Sequence, residues 1–193
     1  MSSAIIDSAS AGDPARFHTL AALELGLAAL PAAPRDHGSV AALVVRSDGG
    51  RRELPPRILL SREHGVLGDA WGRREGRKLD GQISVMQTAV ADLIANHQPR
   101  ALFGDNLFLN LDLSAPNLPP GSRLRAGSAL LEVTPKPHTG CAKFKSRFGD
   151  EALRFVWKPE LRERNLRGLF VFVVEEGEVA VGDPVDVLMR GGS

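Results

Sequence analysis

Between residues 107 and 113, Leu107, Leu109, Leu111 and Leu113 alternate with Phe108, Asn110 and Asp112. A period of two puts the leucines on one face of an extended chain, so this segment reads as a half-buried strand. Other apolar runs are short and end at glycine or proline. Val40 to Arg46 reads as a strand, Asp48-Gly49-Gly50 as a turn, and Ile58 to Leu60 as a second run that forms a hairpin-like pair with the first. Ile83 to Met86 is another short run, and Leu169 to Val174 reads as a buried strand bounded by Glu175-Glu176-Gly177.

Two segments share a rhythm of strand, glycine-centred turn and strand: Arg123 to Val133 about Gly127, and Glu178 to Val187 about Gly182. They read as hairpins at sheet corners. Helical spacing is rarer. Leu20, Leu23, Leu27 and Leu30 form one apolar stripe that Pro31 ends, and Val90, Leu93 and Ile94 form another that ends by Pro99. Glu151 to Arg164 reads as a helix that Pro159 breaks or kinks. Residues 1 to about 15 are small and polar and read as a loose terminus, and His64 to Gly81 reads as a long surface loop. Many short strands with few helices predict a mainly β chain: a closed or nearly closed barrel with a few peripheral helices, α+β by count.

Charge excludes some functions. With 24 basic against 23 acidic residues the chain carries +1, without the basic excess of a nucleic-acid binder. Its longest apolar stretches are far short of the ~20 residues of a membrane-spanning helix. Met1 to Asp7 has no basic segment leading into an apolar one, so no secretory signal is expected, and a single Cys fits a reducing, cytoplasmic setting. Neither a membrane nor nucleic acid is therefore an expected partner.

One segment has chemical character, Thr134 to Phe148. Pro135 and Pro137 stop the preceding strand, Gly140 lets the chain turn, and a short helix is expected from about Cys141. Its thiol, flanked by Lys136, Lys143, Lys145 and Arg147, sits where a thiolate is electrostatically favoured, with His138 three residues earlier as a base or an anion-steering group. The same residues read equally as a small buried apolar Cys, a hydrogen-bonding His and a solvated helix face. Asp69, Asp105 and Asn106 follow glycines in turn-like triplets and could point polar groups into a barrel mouth. Trp71, among Arg73, Arg74 and Lys78, could stack on a flat ligand or cap its loop. No phosphate loop, nucleophile elbow or zinc-site spacing occurs.

An ordered series now stands out: Gly65-Val66-Leu67-Gly68-Asp69, Gly104-Asp105-Asn106-Leu107, Pro119-Pro120-Gly121-Ser122-Arg123-Leu124 with Gly127-Ser128-Ala129, Pro137-His138-Thr139-Gly140-Cys141-Ala142-Lys143, Arg167-Gly168-Leu169, and Gly177-Glu178-Val179-Ala180-Val181-Gly182-Asp183. Over residues 38 to 188 it resembles the MOSC domain, found at the C-terminus of molybdenum cofactor sulfurases and in stand-alone relatives. The resemblance implies a β-barrel over residues 38–190, preceded by a tail and short packing helix over 1–37. It implies that Cys141 carries sulfur as a persulfide or ligates the molybdenum of a bound molybdopterin. His138, Thr139, Lys143, Arg147, Asp69, Asp105 and Asn106 would bind that cofactor. Amidoxime-reducing relatives use the metal-ligand arrangement on N-hydroxylated compounds, with a redox partner. A sulfur carrier or cofactor-delivery module would instead meet a cysteine desulfurase. In both cases a small anionic ligand is expected. Many relatives have a His after the first Gly-Asp, where this chain has Ala70-Trp71. No pyridoxal phosphate site can be assigned in these residues.

Overall fold

A computed structural model describes residues 6–7 and 10–192. The strands are β1 (Ile6–Asp7), β2 (His37–Leu43), β3 (Val45–Arg46), β4 (Arg51–Glu53), β5 (Arg57–Ser61), β6 (Gly65–Val66), β7 (Ile83–Gln87), β8 (Leu107–Asn110), β9 (Arg123–Ala126), β10 (Ala129–Val133), β11 (Leu169–Glu175), β12 (Gly177–Ala180) and β13 (Pro184–Met189). The α-helices are α1 (Leu20–Ala29), α2 (Thr88–Ala95), α3 (Ala142–Phe148) and α4 (Asp150–Trp157). Seven strands close a barrel in the order β10-β11-β7-β8-β2-β13-β9, and β1-β4-β3 and β12-β5-β6 form two small sheets. Every barrel pairing is antiparallel except β7 with β8, whose parallel register is bridged by α2. Among the described residues no helix is long and apolar enough to cross a membrane.

Alternation builds two apolar clusters on opposite faces of the barrel wall. Val40, Val85, Leu109, Leu124, Leu131, Val171 and Val185 come one from each of the seven strands and share one cluster. Only the barrel interior can bring all seven together. Ala42, Met86 and Phe108 point the other way and join the helices in a second cluster. Phe108, expected on a wetter face, is therefore fully buried, because the helical layer covers the wall outside it.

The helices follow local signals. Thr19 Oγ1 accepts from the Ala22 amide to open α1, which buries Leu23 and Leu27 and stops before Pro31. Pro159 breaks the helix expected over Glu151 to Arg164: α4 ends at Trp157 and a 3-10 segment covers Pro159–Arg164.

Several expectations are corrected. Val45–Arg46 pairs with Arg51–Glu53 around the Asp48–Gly50 turn, whereas β5 pairs with β12 and β6, so the hairpin is tighter than expected and excludes Ile58 to Leu60. The chain around Gly182 is a corner as expected, but its strands do not pair. β12 joins β5 and β13 enters the barrel, the turn being held by the Ala180 amide donating to Asp183 Oδ2 at 2.7 Å. The terminus is not loose where it is described: Ile6–Asp7 pairs with β4 and the Gly12 amide donates to the Ser146 carbonyl at 3.1 Å. Pro14–Arg16 forms a 3-10 turn capped by Asp13, and residues 1–5 and 8–9 lie outside the described residues. Within the loop from His64 to Gly81, Val66, Asp69 and Trp71 are buried. Trp71 anchors the loop, with the Arg77 guanidinium 5.5 Å from its ring centre.

Candidate functional site

Cys141 is exposed at the N-cap position of α3 and its side chain makes no capping hydrogen bond. Gly140 before it has no need of a positive φ; it is there because a Cβ would lie 2.5 Å from a methyl of Leu153 and 3.3 Å from one of Val156 on α4. The turn role expected for Gly140 gives way to close packing. The thiol borders a cavity of about 450 Å³ that is also lined by Arg46, Arg52, Arg73, Arg74, Arg147, Arg167 and Lys143.

These cations arrive from five places in the chain. Lys143 and Arg147 are four residues apart on α3 and share its cavity face. Lys145, on the other face, pairs with Asp150 at 2.9 Å, and Lys136 pairs with Asp80 at 3.2 Å, so neither joins the thiol as expected. Arg46 and Arg52 are direct cross-strand partners in β3 and β4. Like charges so placed repel. Gly49 and Gly50 take φ of 71° and 76° to make the turn between them, and Arg73 is held across it by Asp48 at 2.9 Å. Arg74 follows Arg73, and Arg167 precedes β11.

A buried polar layer holds two of these arginines in place. Asp69 accepts from Arg46 Nε at 2.9 Å and Nη2 at 2.6 Å, from the Arg46 and Trp71 amides, and from Asn106 Nδ2 at 3.1 Å. Burial alone would raise the Asp69 carboxyl, but Arg46 outweighs it and holds the group below the usual carboxylate range. Asn106 also accepts from Arg46 at 3.2 Å. Asp105 accepts from Arg167 Nη1 at 2.5 Å, while Phe103 and Phe144 lie 5.9 and 5.3 Å from the Arg167 guanidinium. Arg52, in contrast, is pushed down to about 10 by burial and by the charges of Arg147 and Arg46. Arg147 is lowered by burial, with the Cys141 sulfur acting against the shift. The cavity lining carries more cations than carboxylates, Asp48 being the one acidic residue on it, so the concavity is positive.

The sequence candidates separate accordingly. Lys143 and Arg147 meet at Cys141. Asp69, Asp105 and Asn106 are buried behind the cavity wall, where they orient Arg46 and Arg167. His138 and Thr139 line a second cavity. The His138 side chain is 9% exposed, its Nε2 lies 3.5 Å from Asp105, and its pKa is pushed down to about 3 by burial and then by Arg167. Sequence reasoning gave no role in the site to Arg46, Arg52 and Arg167, and met Arg73 and Arg74 only as neighbours of Trp71. The doublets Arg51-Arg52 and Arg73-Arg74, and Arg167 before Gly168, were the available signals, and only barrel closure unites them.

Among the described residues no three His, Cys, Asp or Glu side chains cluster to hold a metal ion. A metal reaching Cys141 would therefore bring its other ligands with it, and an anionic cofactor carrying its own metal fits a thiol ringed by cations.

A sequence model of the MOSC domain matches residues 67–186. Among solved structures, the YUAD protein from Bacillus subtilis superposes with a TM-score of 0.56 at 17% identity, covering 77% of this chain and 94% of its own. YiiM from Escherichia coli gives 0.55 at 20% identity, covering 80% and 72%, and YiiM from Geobacillus stearothermophilus 0.55 at 16%, covering 80% and 76%. These likenesses are of fold. No curated protein sequence matches the chain. With the barrel, the ordered glycine turns and the family match over most of the barrel, the chain belongs to the MOSC domain family.

Proposed function

We propose that the protein binds the molybdenum cofactor in the arginine cavity with Cys141 Sγ as a ligand to the metal, and that it reduces N-hydroxylated compounds with electrons from a partner reductase. The observation that carries this reading is the exposed thiol at a cavity also lined by Arg46, Arg52, Arg74, Arg147 and Lys143, where an anionic cofactor would meet positive charge. The family membership links the fold to that cofactor.

The bound cofactor would supply a two-electron centre, at which an N–O bond is exchanged for N–H and water with two electrons and two protons. The chain supplies the rest. Arg46, locked on Asp69 and Asn106, and Arg167, locked on Asp105, present fixed donors to the anionic groups of the pterin, so little side-chain ordering remains to be done on binding. Lys143 and Arg147 bring further positive charge from α3. Cys141 offers a soft thiolate, suited to a metal of this kind, and the reducing cytoplasm would keep it as a thiol.

Metal analysis of protein purified from a cofactor-competent host tests this reading. Molybdenum is expected with the wild type and absent from Cys141→Ala; a wild type without molybdenum would sink it. The exposure of Cys141 also favours a second reading, a sulfur carrier reached by a cysteine desulfurase. In that case the intact mass rises by one sulfur atom at Cys141 after incubation with the desulfurase and sulfur donor.

A further inference from the structure

The second cavity, of about 360 Å³, has the size of a small-molecule site. Three stretches of chain border it: Pro137 from the segment that leads to Cys141, Val156 and Trp157 from the end of α4, and Arg162 and Leu166 from the 3-10 segment and the chain just after it. The break at Pro159 brings the last two stretches together. In an unbroken α-helix, residues five apart point about 140° away from each other. Because α4 stops at Trp157 and the chain resumes as a tighter segment, Trp157 and Arg162 border one hollow.

The lining combines apolar surface with cations. Leu166 is buried and Val156 half-buried, whereas Trp157 is left 57% exposed, against 4% for Trp71. An indole beside a hollow gains from any apolar body that removes its face from water. The charged residues of the lining are Lys158, Arg162 and Arg167, and no carboxylate joins them. Arg167 is matched by Asp105, and Lys158 by Glu24 and Glu160. Arg162 has no ion-pair partner among the described residues, and its exposed guanidinium sits on a rotatable stem that can turn to an anion at the mouth.

We infer that this second cavity binds a small organic acid, with its apolar body against Trp157, Val156 and Leu166 and its carboxylate on Arg162. The site shares only Arg167 with the Cys141 cavity and does not depend on molybdenum or sulfur chemistry.

1-Naphthoate is the probe, followed by the two indole N–H resonances of the ¹⁵N-labelled protein. Trp157 lines the second cavity, and Trp71 follows Ala70, which lines the arginine cavity, so each tryptophan reports on one site. The Trp157 resonance should shift saturably, while that of Trp71 stays still or follows a different dissociation constant. 1-Naphthamide, the same ring without the charge, should bind about fivefold more weakly, the upper end of what one exposed ion pair gives. Arg162→Gln should bring the acid down to the level of the amide and leave the amide's affinity as it was. The comparison of acid with amide needs no variant, so it holds whether or not Arg162→Gln folds. The inference is overturned by a Trp157 resonance that does not move saturably, or by one that tracks Trp71 with a single dissociation constant. An amide that binds as tightly as the acid, or a preference that survives in folded Arg162→Gln, overturns it as well.

Discussion

The two apolar clusters divide the molecule by shape and by task. Inside the barrel, among the described residues, the cluster consists of Val, Leu, Ile and Ala alone. Outside, beneath the helices, it gathers five of the eight phenylalanines, with Phe103 stacked on Phe148 at 4.1 Å between ring centres and Phe144 beside both. A closed seven-strand barrel leaves room for branched aliphatic side chains and little for flat rings. The outer layer, wedged between helix and wall, takes rings that pack edge and face. The outer layer also touches function: Phe103 lines the Cys141 cavity, Phe144 and Phe148 lie on the helix that follows the thiol, and the Arg167 guanidinium rests on Phe103 and Phe144. The interior sustains the fold, and the layer outside it aims the cations.

The largest break should come where the two regions meet. Gly168 takes φ of 92°, and a Cβ there would stand 2.0 Å from the Val85 carbonyl oxygen. Gly168→Ala must push β11 off β7, and a loss of about 4 kcal/mol or more is expected, read by urea unfolding or as failure to accumulate folded protein. Leu131→Ala and Phe144→Ala then test the division itself. Both side chains are essentially buried, and each truncation should cost about 3 kcal/mol. If the arginine cavity takes an anion, inorganic phosphate should raise the Tm of the wild type by binding the folded state; Leu131→Ala should keep that rise, whereas Phe144→Ala should lose most of it. Equal phosphate responses in the two variants would erase the distinction.

The smallest effect near neutral pH concerns His138, which Asp105, Arg167, Arg46 and, through Phe170, Lys136 surround. Its folded pKa, about 3, lies below the ordinary histidine value of 6.5, so the unfolded chain takes up a proton the folded one refuses. Stability is complete above about pH 6.5 and falls as the pH drops towards 3, by at most about 1.4 kcal/mol per unit from this group. Unfolding curves of wild type and His138→Phe at pH 7 and pH 5 should diverge accordingly, and parallel curves would refute the assignment.

The barrel was readable in the sequence because its strands announce themselves one at a time: Leu107 to Leu113 alternates, and Gly127 turns β9 into β10 over two residues. Pairing was less readable. Gly182 carries the same local signal as Gly127, but Val40 accepts its amide and the chain crosses from one sheet to another. Only the tertiary partner separates a corner from a hairpin. At the site, Cys141, Lys143 and Arg147 lie within one segment and were legible. Asp69, Asp105 and Asn106 were legible as polar residues after glycine, but which side of the wall they face depends on Arg46 and Arg167, 23 and 62 positions from their carboxylate partners.

The place of β13 in the barrel sets a timetable. It lies between β2 and β9, pairing Pro184–Asp186 with His37–Ser39 and Val185–Met189 with Arg123–Ala126. Until residues 184–189 leave the ribosome, β2 and β9 each keep a bare edge of backbone donors and acceptors, and the ring cannot close however well its other strands have paired. A chain lacking that strand is an open sheet with two adhesive margins, exposed to association with its neighbours.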